Sequence, residues 1–294
     1  MKALYSGVSG MRSHQTKMDV IGNNIANVNT YGYKTQRTTF RDIYYQTMKN
    51  PGAPSDDASV VRGGTNSSQV GYGAQVGSID TIHTMSGYSP TYKPTDLYIN
   101  GEGFFMVKDA SDNIYYTRNG AFNFDSDGNL TDMNGNVVLG VLENIGAIDA
   151  ETKALTGAIV PINIKHDPDD TNFNYYKNIT INGDGTISAY DESLTEPEIV
   201  TIGQIAIANV QNPEALVLTG NSYYTESSNT GEIVNYEAGL GGTGALVTGG
   251  LEMSNVDLAN EFSEMIVTQR GFQANTKIIS VVDQMLEELV NLKR

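Results

Sequence analysis

Near the amino terminus, Leu4, Val8, Met11, Met18, Ile21, Ile25 and Val28 recur at steps of three and four, with Gln15 filling the single gap. That period predicts an amphipathic helix with one apolar stripe over residues 1–30. Near the carboxyl terminus, Leu258, Phe262, Met265, Gln269, Phe272, Thr276, Ile279, Asp283, Leu286 and Val290 alternate steps of four and three. Leu258, Met265, Phe272, Ile279 and Leu286 make an unbroken seven-residue apolar ladder, which predicts a coiled-coil seam over 255–294. The polar positions Gln269, Thr276 and Asp283 either restrict register and partner or face a wet boundary. Amphipathic helices more commonly cap a globular core, and that alternative stands beside the seam. The apolar side chains of the first helix are few for the thirty residues they would order. The ends are therefore expected to fray in the isolated chain and to become helical against neighbouring copies.

Between the ends the pattern shortens to β-runs punctuated by Gly, Asn and Asp: residues 96–100, 104–107, 114–117, 137–141, 159–164, 179–181, 202–210 and 215–218. The dipeptides Asn100-Gly101, Asn119-Gly120, Asn134-Gly135 and Asn182-Gly183 carry the signature of tight hairpins. Residues 31–70 hold no sustained period, and Pro51, Pro54 and Gly63-Gly64 mark them as an extended connector. The fold class is α+β. Helical segments at 1–30 and 255–294 flank a discontinuous all-β domain at 71–142 and 198–254, with 143–197 as a possible small β insertion.

Charge changes this picture by dividing it. The 294 residues carry 34 Asp+Glu against 18 Lys+Arg, a formal net charge of −16. Residues 1–49 hold seven basic and two acidic residues, whereas residues 251–294 hold four and seven. A basic arm, a strongly acidic middle and a mildly acidic arm follow. Such acidity argues against nucleic-acid binding, which needs clustered cations. The absence of cysteine excludes disulfides, thiolate metal sites and thiol nucleophiles. No apolar run is long enough to cross a bilayer as a helix, so no membrane insertion is expected. Ser13, His14 and Gln15 interrupt the place where a secretory signal would be apolar.

No catalytic constellation emerges. Asp125-Ser126-Asp127-Gly128-Asn129 resembles the start of a calcium loop, but Leu130 stands where Gly is required and Asn136 where Glu is required. An Asx turn or hairpin is the better reading. His14, His83 and His166 lie in three separate segments without metal spacing. No enzyme activity, cofactor or metal is expected.

Gly22-Asn23-Asn24-Ile25-Ala26-Asn27-Val28-Asn29-Thr30, followed by Tyr31-Gly32-Tyr33-Lys34, closely resembles the amino-terminal signature of the bacterial flagellar axial proteins, the rod and hook subunits. The signature residues are Asn23, Asn24, Ala26, Asn27, Asn29, Thr30 and Gly32. Residues 251–294 resemble the carboxyl-terminal signature of the same family, and stretches near 64–84, 96–107, 115–130 and 244–255 match in order. In detail, Thr65-Asn66-Ser67, residues 79–83 and residues 261–267 look most like short hook subunits of Gram-positive bacteria. The distal rod subunit shares the same ends and β-domain, and Tyr45-Gln46-Thr47-Met48 through Pro51-Gly52-Ala53 resembles its connector.

The resemblance implies that the terminal helices form a coiled-coil tube layer with the β-domain tiled outside. The chain would be a structural subunit of a curved, flexible tube carrying torque from rod to filament, or alternatively of the rigid rod. It implies self-assembly into a helical homopolymer through Leu4, Val8, Met11, Met18, Ile21, Ile25, Val28, Leu258, Phe262, Met265, Phe272, Ile279, Leu286 and Val290. It also implies contacts with distal rod, hook cap and hook–filament junction proteins, and an extracellular flagellar location reached through the type III export apparatus without a cleaved signal peptide. Gly63, Gly64, Gly71 and Gly73 are hinge candidates, and Phe40 and Tyr44 are candidates for recognition at the export gate. A secreted β-rich enzyme or an adhesin with oligomerisation helices is the remaining alternative.

Overall fold

A computed structural model describes residues 2–54, 63–142, 149, 154–155, 157–164, 176–191 and 198–292. The chain divides into two compact units, one of Met1–Ala26, Gln36–Thr81 and Val256–Arg294, the other of Asn27–Thr35 and Ile82–Asn255. The architecture is α+β, with a helix at each end and a β-rich middle.

In the first unit, α1 (Lys2–Ala26) and α2 (Leu258–Leu292) lie antiparallel. Their contact is unusually close. A Cβ built on Gly7 would meet Ile279 Cγ1 at 3.3 Å, one on Gly10 would meet Asn275 Nδ2 at 2.8 Å, and one on Gly271 would meet His14 Cε1 at 2.6 Å. Lys17 Nζ pairs with Glu264 at 2.8 Å, and Asn24 Nδ2 donates to Glu261 Oε1 at 3.0 Å. On α1 the contact positions Gly7, Gly10, His14, Lys17 and Asn24 keep heptad spacing, but they lie beside the apolar stripe that the sequence presents. On α2 the buried positions are Thr268 and Val282, in register with Glu261 and Asn275. The expected ladder supplies one side of this contact: Ile279 faces Gly7, and Met265, Phe272 and Ile279 alternate with Thr268, Asn275 and Val282 at steps of three and four. Leu258 and Leu286 are exposed, and Met265, Phe272 and Ile279 are half-buried. Small and polar groups alternate with apolar ones in the contact, and glycine on each helix leaves room for the facing side chain.

The expected connector at 31–70 is also corrected. Strands β1 (Gln36–Asp42), β2 (Tyr45–Lys49), β3 (Ser68–Gly71) and β4 (Ala74–Thr81) form one long antiparallel ribbon. β1 pairs with β4 and β2 with β3. Backbone bonds from Ile43 N to Gly73 O (3.0 Å) and from Tyr72 N to Tyr44 O (3.1 Å) join the two pairs, and Gly52 and Thr65 exchange bonds of 2.9 Å beyond them. The ribbon rests on α1: the Ser13 hydroxyl lies 3.2 Å from the Ala74 carbonyl oxygen that accepts from it, and Asn24 Nδ2 donates to Gln36 O at 2.9 Å. The ribbon thus braces α1 along the face bearing Ser13 and Asn24.

The second unit is a sheet whose main path runs, in spatial order, Tyr176–Ile181, Thr186–Asp191, Glu198–Ile205, Val137–Val141, Phe104–Lys108, Ile114–Thr117, Tyr223–Thr225 and Val217–Gly220, all antiparallel. Phe105, Phe122, Leu130, Val138, Ile162, Ile187, Ile205 and Ile207 form its centre. Two of the four expected hairpins are present. Asn134-Gly135 turns between Leu130–Thr131 and Val137–Val141, and Asn182-Gly183 between Tyr176–Ile181 and Thr186–Asp191. The other two are not hairpins. Asn100-Gly101 leaves Leu97–Asn100, which pairs with Ala245–Thr248, while Gly120 permits a close approach, its Cβ position lying 1.9 Å from Leu97 O. The Asp125–Asn129 stretch is a turn closed by Asp125 N donating to Asn129 O at 3.0 Å. The described parts of 143–197 extend the main sheet rather than form a separate body; residues 143–148, 150–153, 156, 165–175 and 192–197, which share the expected insertion, and His166 with them, lie outside the described residues.

Replacing Gly10 with Leu places a branched side chain against Asn275, and overpacking of this kind costs about 1–3 kcal/mol. We expect Gly10→Leu to raise amide exchange in both α1 and α2 while leaving the strand 104–108 protected. Unchanged helix protection would contradict the close contact.

Candidate functional site

Three features stand out: an anchor where the signature segment enters the sheet unit, a polar clamp at the end of α1, and apolar faces left open on α2.

The clamp is Asn24, only 1% exposed. Besides its bonds to Gln36 O and Glu261, its Oδ1 accepts from Gln36 N at 3.0 Å. One side-chain amide thus ties the last turn of α1 to the start of β1 and the first turn of α2. Asn27 and Thr30 close the following turn, the Thr30 hydroxyl donating to Asn27 Oδ1 at 3.1 Å. Gly32 has φ +70°, and a Cβ there would lie 2.7 Å from Asn119 N, so only glycine fits. Asn23, Ala26 and Asn29 are exposed.

The anchor is a buried ion cluster within the sheet unit. Lys34 Nζ contacts Glu252 Oε1 at 2.6 Å and donates to Thr84 O at 2.7 Å. Arg118 Nη1 lies 3.5 Å from Glu252 Oε2, and its guanidinium stands 5.2 Å from the Phe104 ring centre. The Lys34, Glu252 and Arg118 side chains are 0%, 1% and 3% exposed. Burial pushes both cations below their ordinary pKa ranges, and Glu252 partly offsets this. His83 packs against Phe104 and Tyr224, with ring centroids at 5.6 and 5.3 Å. Burial, with Lys34 and Arg118 nearby, lowers its pKa from 6.5 to about 4, so it is neutral at pH 7. At the unit's edge, Asn255 gathers three chain segments. Its Oδ1 accepts from Thr35 N at 2.7 Å and its Nδ2 donates to Ile82 O at 2.9 Å, while Ile82 N donates to Thr35 O at 2.9 Å. The cluster is a structural lock rather than a catalytic group. Among the described residues no set of His, Asp and Glu is arranged to hold a metal ion.

The third feature is what the close helix contact leaves uncovered. On α2, Leu258, Phe262 and Ile266 are exposed on one side of the contact face. At 100° per residue, Val267, Ile278, Val281, Met285 and Leu292 lie exposed on the other, and exposed Leu289 continues the contact register one heptad past Val282. Val290 is exposed as well. On α1, Ile21 is buried, Leu4, Val8, Met11, Met18 and Ile25 are half-buried, and Val28 lies beyond the helix in the sheet unit.

The hinge candidates lie within one unit. Gly63, Gly64, Gly71 and Gly73 all belong to the ribbon of the helical unit, whereas the chain passes between units after Ala26, Thr35, Thr81 and Asn255. Gly73, at φ +112°, serves a close approach, its Cβ position falling 2.2 Å from Ser9 Oγ. Phe40 sits at a bulge in β1, edge-on to His14 at 5.6 Å, and Tyr44 is 82% exposed. Sequence reading missed the roles of Lys34, Arg118 and Glu252; three ions scattered over two hundred residues leave no local signal.

Family comparison agrees with this arrangement. Residues 98–189 match the profile described as the flagellar hook protein FlgE/F/G D1 domain. Residues 247–292 match the flagellar basal body rod FlgEFG protein C-terminal profile, and residues 4–34 the flagella basal body rod protein profile. The chain is 44% identical to the flagellar basal-body rod protein FlgG of Bacillus subtilis, with all of both chains covered. It is 35% identical to FlgG of Buchnera aphidicola from Acyrthosiphon pisum over 99% of each chain, and 31% identical to the flagellar hook protein FlgE of Borreliella burgdorferi over 100% of each. The chain belongs to the flagellar hook and basal-body rod protein family. It is a structural component of the flagellum, not an enzyme, and its family implies self-polymerisation.

The unfolded chain protonates His83 near pH 6.5 and the folded chain only near 4. Between these values the unfolded state binds more protons, so this contribution to stability is complete above about 6.5 and is lost as pH falls towards 4. We expect the melting temperature of the wild type to fall more steeply than that of His83→Phe across this window. Parallel pH curves would contradict the assignment.

Proposed function

We propose that this chain is a rod subunit of the flagellar basal body, a segment of a rigid drive shaft, rather than the hook subunit that its sequence details first resemble. The observation that carries this reading is the manner of alignment. The match to the Bacillus subtilis rod protein runs end to end over 295 positions, whereas the match to the hook protein spreads over 446. The ribbon adds support: residues 36–81 are cross-bonded and seated on α1, an arrangement suited to resisting bending. The hook reading keeps one observation in its favour, that the hook relative still covers the whole of both chains.

Copies assemble through the open faces of α2. Each apolar side chain covered there contributes about 1.5–3 kcal/mol, which favours polymer over monomer once several faces are paired. Neighbouring flagellar rod and hook components are the partners at each end of the stack. The chain leaves the cell unfolded through the flagellar type III apparatus, with Phe40 and Tyr44 as recognition residues; the exposure of Tyr44 and the absence of cysteine both suit that route.

Electron microscopy of basal bodies from a strain lacking the gene tests this. A rod that stops short is expected. A complete rod ending without a hook would overturn the rod reading in favour of the hook.

A further inference from the structure

We propose that the groove between α1 and β4 is the seat for the carboxyl-terminal half of α2 from a second copy of the chain. This rests on the polymerising reading above and specifies the contact. The groove, of about 350 Å³, is lined by the apolar side chains of Val8, Ile43, Ala74 and Val76 interspersed with four polar ones, Ser9, Ser13, Thr16 and Gln75, and Tyr5 and Arg12 also line it. Arg12 is exposed, and among the described residues its guanidinium has no ion pair.

The matching surface is on α2. Val281, Met285 and Leu292 form one exposed line beside the face that its own α1 covers, and exposed Leu289 continues that face one heptad past Val282. Glu288 lies three residues after Met285 and four before Leu292, hence beside both on the helix surface. An apolar line flanked by a carboxylate fits a groove whose apolar residues stand beside Arg12, a cation without an ion pair among the described residues. Groove and line are different surfaces of one chain, so the contact is heterologous. Repetition of such a contact yields an open helical stack rather than a closed dimer, as a rod requires.

The purified full chain, polymerised and followed by light scattering and electron microscopy, tests the proposal. Arg12→Glu is expected to raise the critical concentration at least tenfold, Glu288→Arg to do the same, and the pair together to restore assembly. Because the chain has no cysteine, Val76→Cys combined with Met285→Cys gives an independent reading. Oxidation should link separate copies in the polymer. Assembly of Arg12→Glu at the wild-type concentration, no rescue by the double exchange, or no links between copies would overturn the seat while leaving the rod reading intact. Failure of the wild type to polymerise under any condition would overturn both.

Discussion

The close approach of α1 and α2 governs the helical unit. An added methyl group at Gly10 or Gly271 would press on Asn275 or His14 of the opposite helix at 2.8 or 2.6 Å, and one at Gly7 would sit tight against Ile279 at 3.3 Å. That closeness assigns the mixed apolar and polar face of α2 to its own chain. The exposed apolar side chains beside it are thereby left for other molecules. A conventional Leu-rich seam would have saturated the helix pair internally and left a polar exterior with little to offer a neighbour. Large apolar side chains left exposed beside the helix pair are the arrangement expected of a subunit whose apolar faces are meant for copies of itself.

Charge follows the same division of labour. In the helical unit, Lys and Arg number eleven and Asp and Glu eleven, whereas the sheet unit holds seven and twenty-three. The whole net charge of −16 therefore sits in the sheet unit. A neutral helical unit lets copies pack closely without a repulsive field, and an acidic sheet unit is well hydrated. Within that acidic unit, Lys34 and Arg118 converge on Glu252 out of water. Such a cluster is a poor source of net stability, since desolvation offsets much of the attraction. It is effective at excluding other arrangements, because displacing the 27–35 segment would strand buried charges.

The sequence made some of this legible and hid the rest for physical reasons. Both terminal helices were visible because their apolar periods are long. Their pairing face was half visible: the apolar ladder marks one side of it on α2, while the glycine, threonine and asparagine of the other side carry no hydrophobic signal. The strands 114–117 and 137–141 were read to the residue, since each is part of a sheet with a buried face. The ribbon 36–81 escaped because β2 and β3 are exposed along their length. With no face to bury, they imprint no alternation. Asn24 was recognised as part of a signature, but only the structure showed that its amide bonds both β1 and α2.

The central claim is that α2 reserves its apolar faces for neighbouring copies. Hydroxyl-radical footprinting of monomer and polymer tests it most directly, with Phe262, Met285 and Leu289 as reporters and buried Met106 as the internal reference. The account predicts strong labelling of the three reporters in monomer, protection of at least tenfold in polymer, and no change at Met106. Equal labelling of the reporters in both states would contradict it.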